Sequence, residues 1–468
     1  MGEYRTKSHW QLVWQQFKRH RLALLGGGIL LLLYTLAAFA GFFSPYDPNF
    51  YTLSPVYRYA PPTPIHFRDP ATGRLTRPFV YGLKKTLDLN TFVEKYTEDR
   101  TRRYPIRFFV RTPDHPYTIF KVFRSDLRLF GLGEKATAEG ARLYLLGSDN
   151  FGRDLWSRMV YGAQVSLTIG ILAVLVALIL GLLLGGLSGF YQGTRIRLSL
   201  PLFARATWRY LKAGEARGPG RVLRVFGRGI LLVLSLVFWL GLAAGLLYGL
   251  VVLTGYSGAG ERVIEALLMV PAALWLLSRG LLVPFTFDPD DLVMRLVEIL
   301  AAIPGLFLLV TLRSVFPSDI DPLMTFYIVV AILSLIGWGG LARTVRGMVL
   351  SLREMDYVTA AKALGVPEFL LILRHILPAT ASYTIVYASL AIPGFILAES
   401  GLSFIGFGIT EPYTSWGLLL KAAQDGGFAS FADRPWVLAP GFAIFLAVLT
   451  WNFVGDGLRD AFDPRRRR

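Results

Sequence analysis

Long apolar runs with few charges constrain this chain more than any other feature. A helix needs roughly 20 mostly apolar residues to cross the ~30 Å hydrocarbon core of a bilayer. Runs of that kind extend from Leu22 to Phe43, Val165 to Leu187, Gly229 to Thr254, Val297 to Phe316, Met324 to Leu341, Ala379 to Glu399 and Val437 to Leu458. A weaker one, Val263 to Phe285, is interrupted by Pro271 and Arg279. Such a pattern predicts a helical protein that crosses a membrane several times and excludes an ordinary water-soluble domain.

Most of the charges lie between the runs. With 49 Lys and Arg against 32 Asp and Glu, the formal net charge is +17. Without the runs, that excess would suggest nucleic acid. In a chain this apolar, with no nucleic-acid module, retention of basic loops in the cytoplasm accounts for it, so no nucleic-acid partner is expected. The basic clusters fall on one side if both termini are cytoplasmic, and the large segment after the first run is the exception. The absence of cysteine excludes disulfides, thiolate catalysis and Cys-held metal centres, and the five histidines do not fall at metal-ligand spacing.

Residues 1–21 contain Trp10, Trp14 and Phe17 and predict an amphipathic helix over 8–20 at the cytoplasmic membrane surface. The first span covers 22–43. Ala38-Phe39-Ala40 imitates a leader-peptidase site, but the apolar run continues past it, which favours an uncleaved anchor. Residues 44–146 are rich in Pro, Tyr, Arg and Asp with alternating stretches such as Ile106 to Arg111, the pattern of a mainly β and loop extracytoplasmic insertion. Residues 147–190 lead into and form the second span. Residues 191–287 carry a very basic cytoplasmic segment and then two apolar runs, read as a transmembrane hairpin rather than interfacial helices. Asp288-Pro289-Asp290-Asp291 is a helix start, with a capping Asp, Pro at the first position and acid in the first turn. Residues 288–458 hold the remaining spans, with a cytoplasmic loop over 343–378 that contains Arg343, Arg346, Arg353, Lys362 and Arg374. Residues 459–468 form a basic cytoplasmic tail.

The most informative segment runs from Met355-Asp356-Tyr357-Val358-Thr359-Ala360-Ala361-Lys362-Ala363-Leu364-Gly365 to Arg374-His375-Ile376-Leu377-Pro378. Two short helices bent at a glycine, with alanines on one face, make a compact knob able to enter a cleft on a partner. Pro378 can begin the next span, where a missing N–H costs nothing. The segment resembles the coupling loop of ATP-binding-cassette importer permeases: Glu-Ala-Ala, three residues, Gly, nine residues, Ile-x-Leu-Pro. Ala360, Ala361, Gly365, Leu377 and Pro378 stand in register. Thr359 replaces the usual Glu, and the nominal Ile moves from His375 to Ile376.

Two further stretches resemble C-type permeases of the oligopeptide and dipeptide transport family. They are Leu146 to Leu167, containing Gly147-Ser148-Asp149-Asn150-Phe151-Gly152-Arg153-Asp154, and Ala398 to Gly408, with Ser415-Trp416-Gly417 and Asn452 to Pro464. The resemblance covers about residues 8–190 and 288–464 and implies an all-α polytopic protein with a six-span importer-permease core; the stretch 191–287, with its additional hairpin, lies outside it. It implies a pathway formed with a homologous second permease, two ATPase subunits, an extracytoplasmic solute-binding protein, peptide as substrate and a bacterial inner-membrane location. ATP and Mg would be bound by the ATPases. This chain, which has no phosphate-binding Gly-Lys-Ser/Thr loop, is expected to bind no cofactor or metal and to have no catalytic residue. Asp356, Thr359, Ala360, Ala361, Gly365, Leu377 and Pro378 are the expected ATPase-coupling residues.

Outside that loop, Glu399 and Ser403 are candidates for the pathway or for packing between helices. Asp149, Arg153 and Asp154 suit a capped surface helix with local ion pairs better than a metal site. An enzymatic insertion would have to rely on His66, Asp69, Asp114 and His115, which form no nucleophile or metal motif. A transporter working alone would carry mid-membrane charges or inverted repeats, and neither is apparent.

Overall fold

The computed structural model describes residues 8–50, 55–69, 73–87, 94–119, 122–198, 285–317, 320–425, 427 and 433–463. The expected hairpin over the apolar runs of 229–285 lies outside the described residues.

Helix α1 (His9–Arg19) begins with a capping box in which Ser8 and Gln11 each accept the other's amide hydrogen. Val13 is buried with Ala461 and Phe462, whereas Trp10 and Trp14 stay exposed. The first apolar run forms α2 (Arg21–Ala38) and a short α3 (Ala40–Phe43), interrupted at Phe39.

The insertion is built from β1 (His66–Arg68), β2 (Leu75–Leu87), β3 (Glu94–Pro105), β4 (Arg107–Arg111), β5 (Tyr117–Ile119), β6 (Phe123–Ser125) and β7 (Leu127–Gly131), followed by the short α4 (Glu134–Ala138). Strands β1, β2 and β3 form one antiparallel sheet, and β4–β7 and β5–β6 form two antiparallel ribbons. Val80, Ile106, Leu132, Ala136, Ala141 and Leu143 form its apolar centre.

The second run lies within α5 (Leu155–Phe190), apolar on all sides as suits a helix surrounded by lipid and other helices. Strands β8 (Ile196–Leu198) and β9 (Phe285–Phe287) pair antiparallel, so the ends of the intervening stretch are held side by side. After them come α6 (Pro289–Ala302) and α7 (Gly305–Ser314). The Asp288 carboxylate accepts from the Asp290 amide at 2.9 Å, as expected of a capping Asp. The expected span from Val297 to Phe316 is bent, because α6 and α7 meet at 96°. Pro304 has no amide hydrogen and disfavours helical geometry at Ile303, so the helix breaks there.

Helix α8 (Pro322–Leu352) extends beyond the expected Leu341 and carries Arg343 and Arg346, the first basic residues of the expected cytoplasmic loop. The chain continues through α9 (Asp356–Ala363), α10 (Glu368–Leu371), α11 (Ala381–Phe404), α12 (Trp416–Gln424) and α13 (Ala439–Phe462). Among the described residues, five helical stretches are long and apolar enough to cross a membrane, and six if the bent α6–α7 pair counts as one. These are the six core spans expected from the sequence, one of them broken, and the architecture is that of a polytopic helical membrane protein.

The chain divides into two compact units: Met1–Gly181, Leu300–Leu341 and Thr380–Arg468 in the first, Leu182–Ile299 and Ala342–Ala379 in the second. The first unit buries Ala37, Leu167, Ile392, Ile396, Trp416 and Ala447 in one cluster and Ile169, Val329, Leu333 and Leu402 in another. In the second, a Cβ added at Gly185 would lie 2.5 Å from the Ala342 carbonyl oxygen. One added at Gly189 would lie 2.7 Å from that of Arg346. Small residues thus let α5 and α8 approach backbone to backbone, where close packing rather than water exclusion supplies the attraction.

Candidate functional site

The second unit carries the knob. Helix α9 places Asp356, Thr359 and Ala360 on its exposed side and Val358 and Ala361 inward. Gly365 follows with φ +78, a conformation costly for other residues, and turns the chain into Pro367 and α10. Large apolar side chains remain uncovered around the bend: Tyr357 is 46% exposed, Leu364 85% and Phe369 47%. Thr359 donates its hydroxyl to the Asp356 carbonyl at 2.9 Å and so bonds back onto its own helix. Leu377 and Pro378 lie in a single 3₁₀ turn, Leu377–Thr380, ahead of α11, so Pro378 precedes the helix instead of occupying its first turn.

Beneath the knob, polar groups tie the unit together. Asp290 receives a two-pronged contact from Arg346, with Nε to Oδ1 at 2.5 Å and Nη2 to Oδ2 at 2.6 Å, and Ser188 Oγ donates to Oδ1 at 2.5 Å. Fork-to-fork pairing of this kind fixes orientation as well as distance. Arg353 Nη1 donates to the Gly189 and Phe190 carbonyls at 3.1 and 3.3 Å, placing a cation at the C-terminus of α5, where the helix dipole favours it. Tyr191 donates to Glu368 of α10 at 2.9 Å. Burial, aided by that carboxylate, pushes the Tyr191 hydroxyl up and keeps it a donor. The sequence reading gave no role to Ser188, Tyr191 or Glu368, whose partners are 102 or more residues away along the chain. A legible signal was the acid at Asp290, read as first-turn acid, with Arg346 in the next basic stretch.

The first unit holds two buried polar clusters. Glu399, fully buried on α11, accepts from Ser166 at 2.9 Å, Ser403 at 2.7 Å and Ser400 at 3.4 Å. Ser166 in turn accepts the Trp416 amide at 3.2 Å, and Ser403 the Ile409 amide at 3.0 Å. The cluster thus fastens α5, α11 and the start of α12 to one another. Buried networks this fully satisfied rigidify a core.

In the segment leading into α5, Asp149, Arg153, Asp154 and Arg158 are each at least 94% buried, which corrects the expected surface helix. The Asp149 carboxylate meets Arg153 at 2.7 Å and Arg158 at 2.5 Å, and both arginines reach Glu411, at 2.5 and 2.8 Å. Burial pushes the Glu411 carboxyl up, but the two guanidiniums outweigh it and hold it below the ordinary carboxylate range. Sequence inspection found the local pairs and missed Glu411, 258 residues from Arg153. Asp154 caps α5, accepting the Ser157 amide at 2.9 Å and its hydroxyl at 2.6 Å. Its Oδ1 has no partner, and burial raises its pKa to about 7.

Of the four candidates for an enzymatic insertion, His66 contacts Glu98 at 2.5 Å and Asp69 pairs with Arg103 at 3.0 Å, while Asp114 and His115 line a separate cavity. Among the described residues, no group of three or more His, Cys, Asp or Glu is placed to hold a metal ion.

The family model "Binding-protein-dependent transport system inner membrane component" matches residues 280–468, and "N-terminal TM domain of oligopeptide transport permease C" matches residues 8–62. The oligopeptide transport system permease protein OppC of Haemophilus influenzae is 46% identical over 179 residues, 38% of this chain and 54% of that protein. OppC of Salmonella typhimurium is 41% identical, over 38% of this chain and 56% of its own length. The dipeptide transport system permease protein DppC of Bacillus subtilis is 28% identical over 323 residues, 69% of each chain. The chain therefore spans a little over half the length of the OppC proteins it matches. The two family models, one at each end and the larger including the knob, together with these relatives support an oligopeptide or dipeptide ABC permease.

Proposed function

We propose that this chain is the permease subunit of an ATP-driven importer of short peptides, and that the knob around Gly365 is where it receives the stroke of a cytoplasmic ATPase. The observation that carries this reading is an exposed, apolar, glycine-bent helix pair clamped from below by ion pairs. A protein has little reason to leave Leu364 85% exposed at the tip of a rigid knob unless a partner covers it. The clamp makes the knob move as one body with the ends of α5 and α8. A push on α9 would then reach the spans instead of dissipating in a loop.

The remaining roles follow from that assignment. Two ATPase subunits supply nucleotide and Mg, and their closure on ATP drives the spans between inward- and outward-facing arrangements by differential contact in the two states. A homologous second permease completes the pathway. An extracytoplasmic binding protein delivers the substrate, which is peptide by analogy with the transport named for OppC and DppC. In this topology both termini are cytoplasmic and the β insertion is extracytoplasmic. Glu399 and Ser403 serve packing, because each already has its partners. Copurification in mild detergent, followed by mass spectrometry, tests the proposal. Recovery of a second permease and two ATPases is expected, with peptides on a copurifying binding protein; recovery of the chain alone would contradict it.

A further inference from the structure

We infer that the β4–β7 ribbon of the insertion rests in the outer headgroup layer of the membrane, with Phe108 and Phe109 immersed and Arg107 and Arg111 on lipid phosphates. This goes beyond the transport reading and rests on it in one respect, the extracytoplasmic placement of the insertion. The ribbon is pinned to the end of the first span. Arg128 of β7, opposite Val110 of β4, is almost fully buried and donates from Nη1 to the Ser44 carbonyl at 2.7 Å and the Gly41 carbonyl at 3.4 Å. These oxygens lie at the C-terminal end of α3, where a cation is favoured. The aromatic groups expected at a membrane boundary stand there: Phe42 and Phe43, the latter's carbonyl accepting from Trp156 Nε1 at 2.9 Å.

Two residues from Val110, Phe108 and its neighbour Phe109 are each 63% exposed, and the Phe109 ring sits 6.4 Å from that of Phe42. Phe109 has φ +54, a conformation disfavoured for a bulky residue, so the backbone is held in a costly shape that leaves two successive phenyl rings outside. Arg107 and Arg111 flank them, exposed, and neither takes part in an ion pair among the described residues. Paired exposed aromatics beside free guanidiniums, level with the end of a span, match the chemistry of an anionic lipid surface: rings toward the acyl boundary, cations on phosphate.

The absence of cysteine makes the test direct. Phe108→Cys and Phe109→Cys are each labelled with a nitroxide on the full chain in right-side-out proteoliposomes containing phosphatidylglycerol, with Lys84→Cys of β2 as the reference. Collision with oxygen relative to a water-soluble nickel chelate should be several-fold higher at 108 and 109 than at 84. Replacing phosphatidylglycerol with phosphatidylcholine should reduce the difference, and R107A/R111A should abolish that lipid dependence. Labels at 108 and 109 as open to the chelate as the one at 84 would overturn the proposal, and so would labels shielded from both reagents, the mark of a protein partner. A membrane-impermeant maleimide that fails to reach Lys84→Cys would refute the extracytoplasmic placement alone, independently of the depth reading.

Discussion

The knob around Gly365 and the cluster around Glu399 both lie in stretches that resemble the permease family, yet one is exposed and the other sealed. At the knob, Tyr357, Thr359, Ala360 and Leu364 face outward while Val358 and Ala361 hold the helix down. At the cluster, Glu399, Ser403 and Ser166 are buried and spend their hydrogen-bonding capacity on one another and on the Trp416 and Ile409 amides. An exposed signature points to a partner; a sealed one points to a shape that must be kept. Substitutions should therefore separate the two, altering transport without loss of folding at the knob and altering folding first at the cluster.

The largest effect is expected from G365W. Nothing lies within 4 Å of a Cβ at Gly365, so the folded chain suffers only the local cost of a positive φ, about 1–2 kcal/mol. Uptake should be abolished while membrane insertion and thermal stability stay close to the parent; normal uptake would remove the knob from the mechanism. Next comes R346A, which strands the Asp290 carboxylate, 5% exposed, without its cation. Loss of one partner of a buried pair costs about 3–5 kcal/mol. The melting temperature of the purified chain should fall steeply and recover in part in R346A/D290N.

Glu399→Ala should cost about 1–3 kcal/mol by leaving Ser166 and Ser403 without their acceptor. Its transport defect should scale with its loss of stability across a temperature series. A variant as stable as the parent yet dead in uptake would move Glu399 from packing to the pathway. Asp154 gives a pH signature. Its folded pKa of about 7 lies above the ordinary carboxylate value, so between pH 4 and 7 the folded chain holds a proton that the unfolded chain has released. Stability should fall as pH rises through that window, and D154N should flatten the slope. The smallest effect belongs to Thr359→Glu, an exposed change that restores the family's usual acid; a shift in uptake with no change in melting is expected.

The same contrast explains what the sequence made legible. The positions of the spans, the capping Asp288, the β character of 44–146 and the glycine bend were readable because each depends on neighbours within a few residues. The fork between Arg346 and Asp290, the reach of Arg153 and Arg158 to Glu411 and the anchoring of Arg128 on Ser44 were not, because their partners lie 56 to 258 residues apart. A hydropathy run cannot report a proline break either. Residues 297–316 look continuous in composition, and only Pro304 hints at the 96° turn. Burial inverted one reading: Asp149, Arg153 and Asp154 looked like an exposed charged helix until the loop carrying Glu411 covered them.

The central claim, that Leu364 at the bend is uncovered because an ATPase covers it, is tested most directly by Leu364→Cys, the sole cysteine of the variant. Treated with a short thiol-to-amine cross-linker in membranes containing the whole transport system, it should give a dominant adduct with the ATPase whose yield changes when a non-hydrolysable nucleotide is added. Adducts with lipid or with the second permease alone, or none while Leu364→Cys still transports, would contradict the account.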